Sequence, residues 1–195
     1  MSSVLLELSV SLDGFAAGPD IGPDAPLGRD GERLHEWMFA GKSAGDFARD
    51  ATARFSGVGA FILGRRMADL GIGPWGEEPV FHAPCFVVTH RPAETIVRKG
   101  GTSYTFVTDG IPAALESARQ AAGSKDLLVS GGADVAQQFL NAGLIDEVRL
   151  HLVPVVLGSG TRLFDGVQRG TRLIPRAAQT DAAVTHLFYA AERAA

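Results

Sequence analysis

The chain has 195 residues, of which 46% are hydrophobic and 21% are charged, and its formal net charge at pH 7 is −4. This composition is ordinary for a globular protein, and the charge gives no electrostatic reason to expect nucleic acid or an anionic membrane as a partner. The single cysteine, Cys85, excludes an intrachain disulfide and a cysteine zinc cage, and no metal site is predicted. No apolar run approaches the roughly 18 residues of a membrane helix, so a cytoplasmic protein is expected.

Strand-like and helix-like segments alternate along the chain. Apolar runs predict strands at 4–10, 60–63, 85–89, 104–108, 127–129, 148–153, 172–174 and 184–191. Helical spacing of apolar residues predicts helices at 44–55, 65–70, 112–122 and 133–142. The alternation predicts one α/β domain over residues 1–195, with a largely parallel sheet and an antiparallel end. A loop rich in Gly, Pro and Asp at 13–31 is predicted to be a binding loop or a lid.

The stretch from 127 to 164 is the strongest indication of a ligand. A buried strand runs into Gly131 and Gly132, and a helix with one apolar side follows. A glycine pair before a helix N-terminus lets backbone N–H groups meet a phosphate, because no side chain keeps the ligand away. A simple strand-to-helix turn is the alternative. Ala133 and Asp134 lie in the first turn of the helix, where Asp134 is interpreted as a surface charge that suits the helix dipole.

Three further strand ends carry polar residues. They are Asp13, then Gly64 with Arg65 and Arg66, and Thr89 with His90 and Arg91. Ligands of open α/β sheets bind beyond the carboxyl ends of the strands, so parallel neighbouring strands would bring these groups to one edge. Arginines in a net acidic chain favour an anion site there, although a surface arginine is often only solvated. The cluster predicts a phosphorylated dinucleotide, NADPH rather than NADH.

Asp13, Trp37 and His151 each leave two interpretations open. Asp13 is either a carboxylate beside the reacting centre, which orients the substrate or relays a proton, or an Asx-turn residue. Trp37 is either part of the core or one wall of a pocket for a planar ring. His151 is interpreted as a packed or interface histidine rather than a residue that reaches a ligand.

Three segments of the chain together resemble a known family. They are Ser11-Leu12-Asp13-Gly14-Phe15, Gly64-Arg65-Arg66-Met67 and the stretch from Gly131 to Phe164. They resemble the reductase domain of bacterial riboflavin biosynthesis, in its stand-alone form known as RibD C-terminal domain-like, which shares the dihydrofolate reductase fold. The resemblance spans nearly the whole chain in order. It implies a three-layer α/β fold whose central, mostly parallel, eight-stranded sheet is flanked by helices.

The resemblance also implies a cofactor and a position for it. NADPH would lie across the strand ends and pass a hydride to a C=N or C=O carbon of a small substrate, with Asp13 near the nicotinamide and the substrate. By position, the residues that would contact the cofactor are Gly64, Arg65, Arg66, Thr89, His90, Arg91, Gly131, Gly132, Ala133 and Asp134. Family members often form homodimers, and the apolar C-terminal strands are the candidate interface.

Two departures from the family bear on the substrate. The riboflavin reductases usually carry a basic residue where this chain has Phe15, and a glutamate where it has Ser130. Losing a cation and a carboxylate removes contacts to a ribityl phosphate, although Phe15, Trp37 and Ser130 remain the predicted substrate contacts. The predicted function is an NADPH-dependent reductase of a small heterocyclic substrate. The alternatives are reduction of 5-amino-6-(5-phosphoribosylamino)uracil in riboflavin biosynthesis, and a non-catalytic sensor of NADPH or another nucleotide.

Overall fold

A large twisted sheet forms the centre of the protein. The computed structural model describes residues 2–39, 55–181 and 184–192, and within these residues the central sheet has nine strands. In chain order, the strands of the protein are β1 (Val4–Ser11), β2 (Phe15–Ala17), β3 (Val58–Gly64), β4 (Pro84–Val88), β5 (Ile96–Val97), β6 (Ser103–Val107), β7 (Asp126–Gly131), β8 (Glu147–Val153), β9 (Thr161–Arg162), β10 (Leu173–Asp181) and β11 (Val184–Ala191). Strands β2 and β9 pair with each other in a separate two-stranded sheet.

The central sheet is parallel in its middle and antiparallel at both ends. Its order is β10-β11-β8-β1-β7-β3-β4-β6-β5. The neighbours from β8 to β6 all run parallel. Strands β10 and β11 at one end, and β5 at the other, pair antiparallel with their neighbours. The predicted α/β architecture, with a mostly parallel sheet and an antiparallel end, is confirmed.

The strand count differs from the eight strands that the resemblance implies. The additional strand in the described sheet is β5, which has two residues and pairs with β6. A two-residue strand is too short to produce an alternating apolar pattern, so the sequence does not reveal it. The predicted strand at 172–174 is also too short, since β10 extends to Asp181. Because β10 lies at the edge of the sheet with most of its residues exposed, its sequence carries little hydrophobic signal.

Three complete α-helices lie in the described part of the chain, and they are α1 (Arg65–Gly71), α2 (Gly110–Ala122) and α3 (Ala133–Asn141). Short 3-10 helices cover Gly31–Leu34, Glu36–Met38 and Lys99–Gly101. The predicted inner faces of α2 and α3 are confirmed, and their buried residues include Ala114, Leu115, Ala118, Ala122, Val135, Ala136, Phe139 and Leu140. Helix α3 ends just before Gly143, which has a φ of 63° and donates its N–H to the Leu140 carbonyl at 3.0 Å. The helix predicted at 44–55 lies outside the described residues, except for Phe55.

The two faces of the sheet carry different layers. On one face, α2 and α3 pack over a core that includes Leu6, Ile62 and Val129. On the other face, α1 packs over a second core that includes Phe61 and Cys85. Burial raises the pKa of the Cys85 thiol, as expected for a core cysteine. Within the described residues, no helix is long and apolar enough to cross a membrane.

Candidate active site

The polar strand ends predicted from the sequence meet along one edge of the sheet. Strands β1, β7, β3 and β4 are consecutive, parallel neighbours, so their carboxyl ends face the same way. Asp13 follows β1, Gly131 ends β7, Gly64 ends β3, and Thr89 follows β4. We refer to this line of strand ends as the ligand edge. It is the position at which open α/β sheets bind ligands.

Glycines bring two backbones of the ligand edge close together. A Cβ added to Gly64 would lie 3.1 Å from the Gly132 nitrogen and 3.2 Å from a methyl group of Val135, so a larger residue would force the strand and helix apart. Gly131 has a φ of +121°, a conformation that favours glycine. A Cβ added to Gly132 would meet no atom of the described residues within 4 Å. The space in front of α3 is therefore open.

The N-terminus of α3 faces this open space without a side-chain cap. Its N-cap is Gly132, which forms no capping hydrogen bond, and Ala133 follows as a buried residue. The first N–H groups of a helix have no partner within the helix, and they are ready donors for a phosphate. Asp134 is exposed and accepts a hydrogen bond from Gln138 at 2.7 Å, which agrees with its interpretation as a surface charge.

Arg65 and Arg91 form a cation pair that is joined by a carboxylate. Arg65 Nε donates to Asp69 Oδ1 at 2.7 Å, and Arg91 Nη2 donates to Asp69 Oδ2 at 2.8 Å. Arg65 Nη1 also donates to the Arg91 carbonyl at 2.8 Å, and its guanidinium lies 4.9 Å from the ring centre of Phe106. Sequence reasoning missed Asp69, although its spacing of four residues from Arg65 on a helix is a recognised ion-pair signal.

The other residues predicted beside this pair differ in exposure. Thr89 is buried, and its hydroxyl accepts the Arg91 backbone N–H at 3.0 Å, so it shapes the turn after β4. Arg66 and His90 are exposed on the same edge. These residues share one edge of the sheet, and hydrogen bonds with neighbouring elements hold Arg65 and Arg91 in position.

Asp13 fastens β1 to the loop that follows β8. Its carboxylate accepts hydrogen bonds from Ser11 Oγ at 2.6 Å, from the Leu157 N–H at 3.1 Å and from the Gly158 N–H at 2.7 Å. The Ser11 hydroxyl, followed by the Gly158 and Leu157 amides, lowers the pKa of Asp13 from 3.8 to about 2. At neutral pH Asp13 is therefore a carboxylate that accepts hydrogen bonds. This geometry suits the predicted orienting role and disfavours proton donation.

Phe15 is covered by an arginine that sequence reasoning missed. The Phe15 ring is 5% exposed, and the Arg162 guanidinium carbon lies 4.2 Å from its centre. Arg162 also donates from Nη1 to the Asp13 carbonyl at 2.7 Å. The two residues meet because β2 pairs with β9, and neither short strand has a sequence pattern. Arg162 thus places a cation over the Phe15 ring at the ligand edge. The resemblance would put a basic residue in the same region, at position 15 itself.

Trp37 packs as a core residue. Its indole is 9% exposed, and Nε1 donates to Ser9 Oγ at 3.2 Å and to the Leu34 carbonyl at 3.0 Å. Its ring centre lies 4.8 Å from that of His151 and 5.1 Å from that of His186. The sequence left two interpretations of Trp37 open. This packing supports Trp37 as a core residue and gives no support to Trp37 as the wall of a substrate pocket. Ser130 is half-buried on β7, directly before Gly131.

Beneath Trp37 lies a buried polar group that we name the histidine cluster, made of Glu7, His151 and His186. His151 Nε2 lies 3.1 Å from Glu7 Oε1, and His151 Nδ1 lies 2.9 Å from His186 Nδ1. Arg149 approaches the second oxygen of Glu7 at 3.5 Å. The interpretation of His151 as a packed histidine is confirmed. Glu7 was missed because its partners, Arg149 and His151 on β8, lie about 140 residues away in sequence.

Comparisons with known proteins agree with this architecture. The family model of the RibD C-terminal domain matches residues 2–187. The chain belongs to this family. In the described residues, no group of three or more His, Cys, Asp or Glu side chains, the histidine cluster included, has an arrangement that could hold a metal ion.

Relatives of this RibD C-terminal domain protein include both short and long chains. Uncharacterized protein YyaP of Bacillus subtilis is 28% identical over 182 residues, which cover 87% of this chain and 84% of that one. The riboflavin biosynthesis protein RibD of Corynebacterium ammoniagenes is 38% identical over 63 residues, which cover 30% of this chain and 19% of that one.

Solved structures show the same fold. A putative riboflavin biosynthesis protein from Shewanella sp. PV-4 has a TM-score of 0.72 at 20% identity, with 98% of this chain and 99% of that chain covered. Acinetobacter baumannii RibD has a TM-score of 0.66 at 16% identity, with 99% of this chain and 59% of that chain covered. The fold implied by the resemblance is therefore confirmed, and membership of the family supports a reductase-like role.

Proposed function

We propose that this protein is an NADPH-dependent reductase that binds the dinucleotide along the ligand edge and reduces a C=N or C=O carbon of a small heterocyclic substrate. The observation that carries the proposal is the open, uncapped N-terminus of α3, which stands behind Gly132 and beside the close approach of Gly64. The Arg65–Arg91 cation pair lies along the same edge, at the ends of the next two strands, β3 and β4. A backbone cradle next to a cation pair suits a ligand that carries several phosphates.

The residues present fit such a cofactor. The amides of Gly131, Gly132 and Ala133 would hold the pyrophosphate, and Asp134 would remain a solvated charge in the same turn. Arg65 and Arg91 would hold phosphate on the adenosine side, with Thr89 shaping the turn and with Arg66 and His90 flanking it. When bound, the nicotinamide would supply the hydride.

Asp13 has a defined place in this proposal. It would orient donor groups of the substrate through its ionised carboxylate, since its pKa of about 2 leaves it deprotonated at neutral pH. The proton that completes the reduction would have to come from another donor. Ser130 lies on β7 directly before the glycine pair, and it is the substrate contact that the sequence predicts on this strand.

A thermal-shift titration tests the proposal most directly. A ligand that binds only the folded state stabilises it by about 2.7 kcal/mol at a concentration of 100 Kd. We expect NADPH to raise the melting temperature in a dose-dependent way, and a suitable heterocyclic substrate to be reduced as NADPH is consumed. Absence of any shift with both NADPH and NADH would overturn every cofactor-based function. Tight binding without NADPH oxidation, across a panel of substrates, would favour the sensor alternative.

One observation keeps reduction of the riboflavin precursor as a second candidate. The Arg162 guanidinium over Phe15 supplies a cation at the edge where the sequence alone indicated that one was missing. A phosphorylated substrate therefore has a partner near Asp13. Rescue of a riboflavin auxotroph that lacks the reductase would support this candidate, provided that Arg162→Ala weakens the rescue. Failure of the unaltered protein to rescue would remove it.

We also propose that the protein forms a homodimer. Strand β10 is an edge strand of nine residues that is largely exposed, and an unpaired strand edge is a template for pairing with a second chain. Light scattering should give the mass of a dimer at micromolar concentration. A monomer mass throughout would contradict the proposal.

A further inference from the structure

Asp69 occupies an unusual position for an acidic residue, because it lies inside the cation pair that would bind phosphate. Each of its two carboxylate oxygens accepts one guanidinium N–H, from Arg65 at 2.7 Å and from Arg91 at 2.8 Å. Its carboxylate thus cancels one of the two positive charges. The pair offers a ligand a net charge of one rather than two.

The bridge contributes little to the stability of the fold. The side chain of Asp69 is 40% exposed and that of Arg91 is 69% exposed, whereas that of Arg65 is 23% exposed. Ion pairs at such exposure are screened by water and salt. The bridge does act directly on the charge of the ligand edge, because it places a carboxylate between two guanidinium groups.

Resting on the proposed function, we propose that Asp69 is a specificity-determining residue that weakens the preference of the ligand edge for a 2′-phosphate over a 2′-hydroxyl on the adenosine ribose. A phosphate monoester carries close to two negative charges at neutral pH, and it would be repelled by the carboxylate that the same guanidiniums bind. A ribose hydroxyl carries no charge and would not be repelled. In other dinucleotide sites an acidic residue favours the hydroxyl and an arginine favours the phosphate, and this chain holds both in one cluster.

The donors of the cation pair are sufficient for this competition. An arginine has five N–H donors. Arg65 uses three donors, for Asp69, for the Arg91 carbonyl and, at 3.5 Å, for the Thr89 hydroxyl, and Arg91 uses one for Asp69. The remaining donors can bind phosphate while the bridge stays formed. Asp69 therefore changes the strength of phosphate binding without blocking the site.

The test compares two probes that differ only in the 2′-phosphate, adenosine 2′,5′-bisphosphate and adenosine 5′-monophosphate. Isothermal titration calorimetry would measure both with the unaltered protein and with Asp69→Asn, which keeps the shape of the side chain and an acceptor oxygen. We expect Asp69→Asn to increase affinity for the bisphosphate about tenfold and affinity for the monophosphate less than twofold, as the charge difference requires. The gain should shrink at high salt, because screening weakens the repulsion.

Two further variants separate local charge from other causes. Glu116→Gln removes one negative charge from the exposed side of α2, where Glu116 contacts Gln120 at 3.0 Å, and it should leave both affinities unchanged. Asp69→Ala removes the charge and also the positioning of the two guanidiniums, so its gain should be smaller than that of Asp69→Asn. An unchanged or weaker affinity of Asp69→Asn for the bisphosphate would overturn the inference. So would an equal gain for both probes, or the same gain in Glu116→Gln.

The outcomes also separate this inference from the proposed function. If the bisphosphate binds and responds to Asp69→Asn but no substrate is reduced with NADPH, the specificity role stands and the reductase proposal fails. If NADPH is consumed but the ratio of the two probe affinities does not move, the reductase stands and the role of Asp69 is refuted.

Discussion

The ligand edge and the histidine cluster hold similar side chains in opposite surroundings. At the ligand edge, Arg91 and Asp69 are paired but largely exposed to water. In the histidine cluster, Glu7 and His151 are paired and almost fully buried. Exposed charges lose little when a partner is exchanged, whereas a buried charge that loses its partner is costly. The ligand edge can therefore exchange its ion pairs for contacts with a ligand at little cost. The histidine cluster instead stabilises the packing of the sheet against Trp37.

The strongest test of this comparison removes Glu7. Replacement by alanine removes the carboxylate from the buried contacts that Glu7 makes with His151 and Arg149, and we expect the free energy of unfolding to fall by about 3 kcal/mol. Urea denaturation would measure it. Glu7→Gln, which retains an acceptor oxygen, should lose less. By contrast, Asp69→Asn should change the free energy of unfolding by no more than about 0.5 kcal/mol. A similar loss in Glu7→Ala and Asp69→Asn would remove the distinction between the two regions.

A second test sharpens the description of the ligand edge. Gly132→Ala adds a methyl group that meets no atom within 4 Å in the part of the chain that the structure describes, so the fold should tolerate it. The methyl group would, however, stand where the pyrophosphate is proposed. We expect NADPH affinity, measured by calorimetry, to fall about tenfold, which corresponds to about 1.4 kcal/mol. Gly73→Ala is the matched control, because its added methyl group also meets nothing within 4 Å and lies beyond the end of α1. Equal affinities in the two variants would contradict the proposed cradle.

The smallest expected effect concerns Asp13. This residue belongs to the ligand edge, but three hydrogen bonds hold its carboxylate in place. Its pKa in the folded protein is lowered from 3.8 to about 2, so its carboxylate stabilises the fold above pH 3.8. That contribution is lost as the pH falls through 2, because the unfolded state binds the proton first. Urea midpoints recorded across this window should fall less steeply for Asp13→Asn than for the unaltered protein.

Ser11 provides a second variant for the same measurement. Its hydroxyl is the largest cause of the lowered pKa of Asp13, so Ser11→Ala should raise that pKa towards its ordinary value and narrow the pH window. If the urea midpoint of Asp13→Asn depends on pH in the same way as that of the unaltered protein, the Asp13 carboxylate does not stabilise the loop after β8 through the hydrogen bonds described.

Periodic and parallel features were predictable from the sequence. The inner faces of α2 and α3 follow from apolar residues at helical spacing, and both are confirmed. The gathering of Asp13, Gly64, Thr89 and Gly131 follows because the carboxyl ends of parallel strands meet at one edge. These predictions needed only local patterns and one topological rule.

Contacts between distant short elements were not predictable. Arg162 covers Phe15 only because two strands of two and three residues happen to pair, and neither has an alternating pattern. In the sequence, Glu7 is the single charged residue of strand β1, and its role becomes visible only through the contacts with His151 and His186 on two other strands. Strand β10 was underestimated because an exposed edge strand does not need apolar residues.

The packing of Trp37 has a practical consequence. The chain has two tryptophans, and Trp37 lies against the imidazole rings of His151 and His186, whereas Trp75 stacks on Tyr104 with ring centres 6.1 Å apart. A protonated imidazole quenches the fluorescence of an indole that it contacts far more than a neutral one does. Trp37 is therefore an optical probe of the histidine cluster that the protein itself supplies, and no added dye is needed to read it.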